Sequence, residues 1–160
     1  MKKHIPSILI SLCFAAIFWK LFTIDRKLED VFPTHSPEAY QGHKYLYVGK
    51  EMPWEDAKIY AESAGGHLVT IADKSENTFV YDLARKNGCY SSTWIGLSDA
   101  AQEGVWKWVT AEPVVYTDWF RGEPNGGRNE NYVDLGFSAP YKWNDVDSNA
   151  RHSFVIEFDN

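Results

Sequence analysis

Between Asp118 and Glu130 the chain reads DWFRGEPNGGRNE, and from Lys142 to Asn149 it reads KWNDVDSN. Both stretches are dense in oxygen donors and hold no histidine or cysteine. Calcium takes six to eight hard oxygen ligands from carboxylates, amide carbonyls, backbone carbonyls and water. Glu123, Asn125 and Glu130 in the first stretch, with Asn144 and Asp145 in the second, can supply side-chain oxygens of that kind. Three carboxylates set against one dication leave surplus negative charge, which favours capture. The lack of nitrogen and sulfur donors nearby disfavours zinc and copper. Taken singly, each stretch also suits a plain turn, because Pro124-Asn125-Gly126-Gly127 and Asn144-Asp145 are turn-forming sequences.

The bulk composition agrees with a binding domain. The chain has 160 residues, 44% hydrophobic and 24% charged, as in ordinary folded domains. Its net charge is -6, and Lys2 and Lys3 lie at the extreme N-terminus, so the body is more acidic still. Such a surface is a poor match for a phosphate backbone, which argues against nucleic acid as a partner. Aromatic residues reach 16%, enough for a dense core, a sticky concave surface, or both. The two cysteines, Cys13 and Cys89, cannot form a disulfide framework within the body, and no CxxC or Cys-His spacing suggests structural zinc. The histidines (His4, His35, His43, His67, His152) show no metal or triad spacing, and His67 reads as structural.

Several elements must position the two polar stretches. Residues 1-22 combine a basic start with an apolar run from Ile5 to Trp19, and read as a signal peptide or an uncleaved signal anchor. Residues 23-41 read as a linker, and residues 42-160 as the folded domain. Within it, His43 to Lys50 suits a strand. Pro53 to Ala64 suits a helix with Trp54, Ala57, Tyr60, Ala61 and Ala64 on one face, stopped by Gly65-Gly66. His67 to Ile71 is short and extended. Asp73 and Glu76 form a capping box for a second helix that turns Phe79, Val80, Leu83 and Ala84 inward and ends at Gly88. Thr93 to Leu97, Val105 to Val109, Tyr132 to Phe137 and Ser153 to Phe158 read as strands, joined by long polar loops of the kind that carry function.

Read together and in order, Trp94-Ile95-Gly96-Leu97, Trp106-x-Trp108, Trp119, Glu123-Pro124-Asn125, Trp143-Asn144-Asp145 and Phe154-Val155-Ile156-Glu157-Phe158 resemble the C-type lectin-like domain. Upstream, Trp54-Glu55-Asp56-Ala57 and Gly65-Gly66-His67-Leu68 match its first helix and the segment after it. The resemblance implies an α+β fold, with two helices flanking small antiparallel sheets and a long calcium-binding loop region. It also implies Ca2+ held by Glu123, Asn125, Glu130, Asn144 and Asp145, with Pro124 in the cis form. Glu123, Asn125, Glu130 and Asn144 would touch both metal and sugar, the carboxylates accepting from sugar hydroxyls and the amides donating to them. The Glu-Pro-Asn order implies mannose, GlcNAc or glucose rather than galactose. Asp99 and Glu103 match a candidate auxiliary metal site, although a solvated charged loop explains them slightly better. The loop from Asn125 to Glu130 is about one residue shorter than is common, and Gly126 stands where a further ligand would help. The family's usual disulfide positions carry Ala61 with Ile156, and Tyr132 with Ser148.

The leading expectation is therefore a calcium-dependent lectin domain whose partners are glycans or glycoconjugates. It would be a single-pass membrane protein with the domain outside the cytoplasm, or secreted if residues 1-22 are cleaved. Weak single-site affinity makes a homo-oligomer useful for avidity. The alternative is a lectin-like domain that binds a protein or other non-sugar partner, with calcium structural only. Glu123 and Asp145 imitate a glycosidase carboxylate pair, but they serve better as metal ligands, and no GxSxG, HExxH or P-loop pattern is present. An enzyme is not expected.

Overall fold

The computed structural model describes residues 35-159 other than Phe137. Its strands are β1 (Glu38–Tyr40), β2 (His43–Met52), β3 (His67–Leu68), β4 (Thr93–Ser98), β5 (Lys107–Trp108), β6 (Tyr132–Leu135), β7 (Trp143–Val146) and β8 (His152–Phe158). Two helices, α1 (Trp54–Ser63) and α2 (Lys74–Lys86), lie between β2 and β4 in the chain. The sheet runs β1-β2-β8-β4-β6-β7, with β3 added to β8 and β5 to β4. Every pairing is antiparallel except β4 with β8. This is the α+β arrangement that the sequence resemblance implies.

The sheet is covered on both faces, and this explains its continuous apolar strands. Successive residues on a strand point to opposite faces. Leu46 and Val48 of β2, with Phe154 and Ile156 of β8, enter the core that holds Trp54, Ala57 and Ala61 of α1. Tyr45 and Tyr47 of β2, with Val155 of β8, enter the core that holds Val80, Leu83 and Ala84 of α2. Ala61 and Ile156, two of the positions where a disulfide is usual, are both fully buried in the α1 core. The buried indoles keep their N–H groups satisfied: Trp54 donates to Ile95 O at 2.8 Å, and Trp94 to Met52 O at 2.8 Å. Gly96 allows close packing, since a Cβ there would lie 2.6 Å from Leu68 O and 2.9 Å from Val109 Cγ2.

Several elements differ from expectation. The polar segment 142-149 is not merely a turn, because Trp143–Val146 pairs with β6 as a full strand. The strand expected over Val105 to Val109 shrinks to Lys107–Trp108, because Gly104 N and Val105 N are drawn into the turn built on Asp99 and Gln102. The strand from Tyr132 ends at Leu135, where Gly136 adopts φ 100°. Asp73 caps α2 by accepting from Ser75 N at 2.7 Å and Glu76 N at 2.9 Å. Glu76 does not close the box. It is buried, and accepts instead from Ala72 N at 2.7 Å and the Tyr45 hydroxyl at 2.6 Å. Residues Glu38–Tyr40, expected in the linker, pair with β2 as the first strand.

The expectation of a single-pass membrane protein is corrected. Among the described residues no helix is long and apolar enough to cross a membrane. The Ile5 to Trp19 run lies outside the described residues, and it is shorter than the ~20 residues a bilayer requires.

Candidate metal and ligand site

The site assembles where β7 meets the loop that precedes β6. Pairing of β7 with β6 sets Asn144 opposite Asp134 and Asp145 opposite Val133. The strand is held from below through Trp143, which is fully buried. Its Nε1 donates to Asn77 Oδ1 at 2.7 Å, and Asn77 Nδ2 donates to Tyr141 O at 2.8 Å. Asn77, on α2, thus fixes the strand that carries Asn144 and Asp145. Trp119 packs against Trp143 and Trp106, at centroid distances of 5.8 and 4.9 Å, so its ring serves the core beneath the loop. Tyr141 lies 4.4 Å from Tyr81.

Asp145 is the pivot. It is 2% exposed, and its carboxylate accepts from Asn125 N at 3.0 and 3.1 Å and from Gly126 N at 2.9 Å. These bonds clamp the first loop to the strand. The Glu123–Pro124 peptide bond preceding the clamp is cis, as the resemblance implies. Glu123 Oε2 is buried and has no hydrogen-bond partner. Burial raises the Glu123 carboxyl above the ordinary carboxylate value, and the neighbouring Asp145 and Glu130 carboxylates raise it further, while the Asn125 side chain opposes the shift by hydrogen bonding. Burial also raises Glu130, assisted by the charges of Asp145 and Asp147. Like charges held this close disfavour ionisation unless a cation is supplied.

Glu123, Asn125, Glu130 and Asp145 are therefore brought into one electrostatic group. Asn144 is turned differently. Its Nδ2 donates to Asp145 O at 3.0 Å, and its Oδ1 accepts from Ser138 Oγ at 3.4 Å. Asp147 joins the group although the sequence reading passed it over. The available signal was its place two residues after Asp145, just past the end of β7. The shortened loop forms a 3-10 turn over Gly127–Asn129. Gly126 is required there, since a Cβ on it would run into the Cβ, Cγ and Oε2 of Glu130.

Asp99 and Glu103 separate in character. Asp99 is not solvated as expected: it is 2% exposed, accepts from Gly104 N at 2.8 Å through Oδ2, and keeps Oδ1 buried without a hydrogen bond. Glu103 is exposed and shares a cavity of about 660 Å³ with Arg128 and Asn131. Arg128 thus adds positive charge to the lining of that cavity.

The donor set fits calcium. It is composed of oxygens, it is anionic, and it contains a buried carboxylate oxygen lacking a hydrogen bond.

Comparison with known proteins bears on the family and the fold. A perlucin-like protein of Mytilus galloprovincialis is 33% identical over 123 residues, covering 74% of this chain and 79% of the relative. The carbohydrate-recognition domain of cow CD23, solved in the presence of a GlcNAc2Man3 oligosaccharide, superimposes with a TM-score of 0.68 at 29% identity, over 79% of this chain and 95% of that one. Herring type II antifreeze protein superimposes with a TM-score of 0.71 at 23% identity, over 79% of this chain and 98% of that one, a likeness of fold alone. The family model for the lectin C-type domain matches residues 50–158. Such domains are binding proteins rather than enzymes, and this chain belongs to the C-type lectin domain family.

Proposed function

We propose that the loop face is a calcium-dependent carbohydrate-binding site of the mannose, GlcNAc or glucose type. The observation that carries this reading is the clamp of Asp145 on Asn125 N and Gly126 N, which sets Glu123 and Glu130 beside a third carboxylate with Glu123 Oε2 left without a hydrogen bond. Glu123, Asn125, Glu130, Asn144 and Asp145 would hold the ion. A bound calcium supplies open coordination positions for two adjacent sugar hydroxyls. The chain's own part is to read those hydroxyls: Glu123 and Glu130 accept from them, and Asn125 and Asn144 donate to them. The cow CD23 domain, related at 29% identity, was solved in the presence of a GlcNAc2Man3 oligosaccharide, which supports the sugar class.

A second reading is a non-sugar partner with calcium in a structural role. The orientation of Asn144 favours it, because both ends of that amide are engaged within the protein. Two measurements separate the readings. Terbium titration of the full chain should give tryptophan-sensitised emission, since Trp143 adjoins Asn144. Retention on mannose-agarose should be lost when calcium is chelated with EGTA. Absence of a terbium signal in the wild type removes both readings, and metal binding without retention selects the second. Exchange of Glu123 for Gln with Asn125 for Asp should move retention from mannose-agarose to galactose-agarose.

A further inference from the structure

A second cluster of ligating groups lies at the β2, β3 and β8 end of the sheet and shares no residue with the loop site. Glu157 of β8 is paired with Tyr45 of β2 on one side and His67 of β3 on the other. His43 precedes Tyr45 by two residues, and Asp159 follows Glu157 by two. Period two on neighbouring strands therefore aims His43, His67 and Glu157 to one face, and Asp159, just past β8, meets both histidines there.

His43, Glu157 and Asp159 each offer a ligand atom within 4.8 Å of the others, and His67 stands beside Asp159. His43 Nδ1 lies 3.0 Å from Glu157 Oε1 and 3.3 Å from Asp159 Oδ1, and His67 Nε2 lies 3.6 Å from Asp159 Oδ2. Ligands about 2.0–2.2 Å from a tetrahedral zinc stand roughly 3.3–3.6 Å from one another. His43 Nδ1 is buried yet makes no well-directed hydrogen bond. The remaining valences of the cluster are already used in the way that orients metal ligands. His67 Nδ1 lies 2.9 Å from Leu68 O, and a proton on that nitrogen leaves the Nε2 lone pair facing Asp159. Glu157 Oε2 accepts from Thr70 N at 3.0 Å and Thr70 Oγ1 at 3.1 Å, which leaves Oε1 for the cluster. These groups line a cavity of about 190 Å³.

We propose that His43, Glu157 and Asp159, whose ligand atoms lie close to one another, bind a divalent transition metal with His67 Nε2, 3.6 Å from Asp159 Oδ2, as the fourth ligand; zinc is the best fit to two imidazoles and two carboxylates. Sequence spacing hides the site, because its members come from three distant strands. The metal would tie the C-terminal strand to β2 and β3 in a domain whose described residues hold one free cysteine.

Cobalt tests the site directly. The full chain, stripped with chelator and returned to saturating calcium, is titrated with Co2+ and followed by its visible ligand-field absorption. One equivalent should give the intense bands of a four-coordinate site, and zinc should displace them. His43→Gln and His67→Gln should each lower cobalt affinity by at least about 100-fold, while Glu123→Gln leaves it unchanged. Zinc should raise the unfolding temperature of the wild type but of neither histidine variant. Bands absent in the wild type, or persisting in either histidine variant, overturn the proposal.

Discussion

Asp145 and Glu157 are buried carboxylates built by the same device and given different company. Each has a carboxylate oxygen held by backbone N–H: Asp145 by Asn125 and Gly126, Glu157 by Thr70. The ionisable side chains beside Asp145 are carboxylates, Glu123 and Glu130. Glu157 faces the rings of His43 and His67. Backbone amides fix where a carboxylate points, and the neighbouring side chains decide which cation suits it. Oxygens alone select a hard ion, whereas imidazoles shift the preference to a borderline one.

The largest effect expected from breaking this comparison is on Asp145 itself. Asp145→Asn removes one charge and turns an amide toward two backbone donors. Calcium affinity should fall by about 100-fold, equivalent to about 2.7 kcal/mol, measured by terbium displacement, while cobalt binding at the histidine cluster is unchanged. Loss of both together would mean that the two regions are not independent. Asn77→Leu should follow. It leaves the buried Trp143 N–H without its acceptor and removes the donor to Tyr141 O, which costs about 1–3 kcal/mol. Urea unfolding should register that loss, and calcium affinity should weaken because Trp143 no longer anchors β7. Gly126→Ala should act more locally. Displacement of Glu130 should lower calcium affinity about tenfold, about 1.4 kcal/mol, with the urea midpoint held near wild type. An unchanged affinity would show that Glu130 is not a ligand.

The comparison also explains what could be read from the sequence. The strands at Thr93 and Ser153 were legible because their residues are apolar on both faces, and each helix announced itself by its period and its stop. β7 was not legible as a strand, because Asp145, one of its two inward residues, is a carboxylate, buried only by virtue of the Asn125 and Gly126 amides. The cis Glu123–Pro124 bond on the loop was legible through its motif. The inward turn of Glu76 was not, since its partner, the Tyr45 hydroxyl, comes from a distant strand. The histidine cluster was invisible for the same reason: His43, His67 and Glu157 meet only through the pairing of β2 and β3 with β8.

Asp73 supplies the control for the whole comparison. It too accepts two backbone N–H groups, from Ser75 and Glu76, but it is exposed and has no ionic cluster around it. The Ser75 hydroxyl, then the backbone bonds, hold its carboxyl below the ordinary aspartate value. A depressed carboxylate pKa contributes stability that is present above the unfolded-state value and lost as pH falls through the folded one. Asp73→Ala should therefore destabilise the domain slightly at neutral pH, through loss of the α2 cap. The difference from wild type should shrink as acid protonates the carboxyl, and urea unfolding at a series of pH values would record it. Neither calcium nor cobalt affinity should change. If either did, a carboxylate on backbone amides would be sufficient to influence metal binding without neighbouring donors, and the distinction between Asp145 and Glu157 would lose its basis.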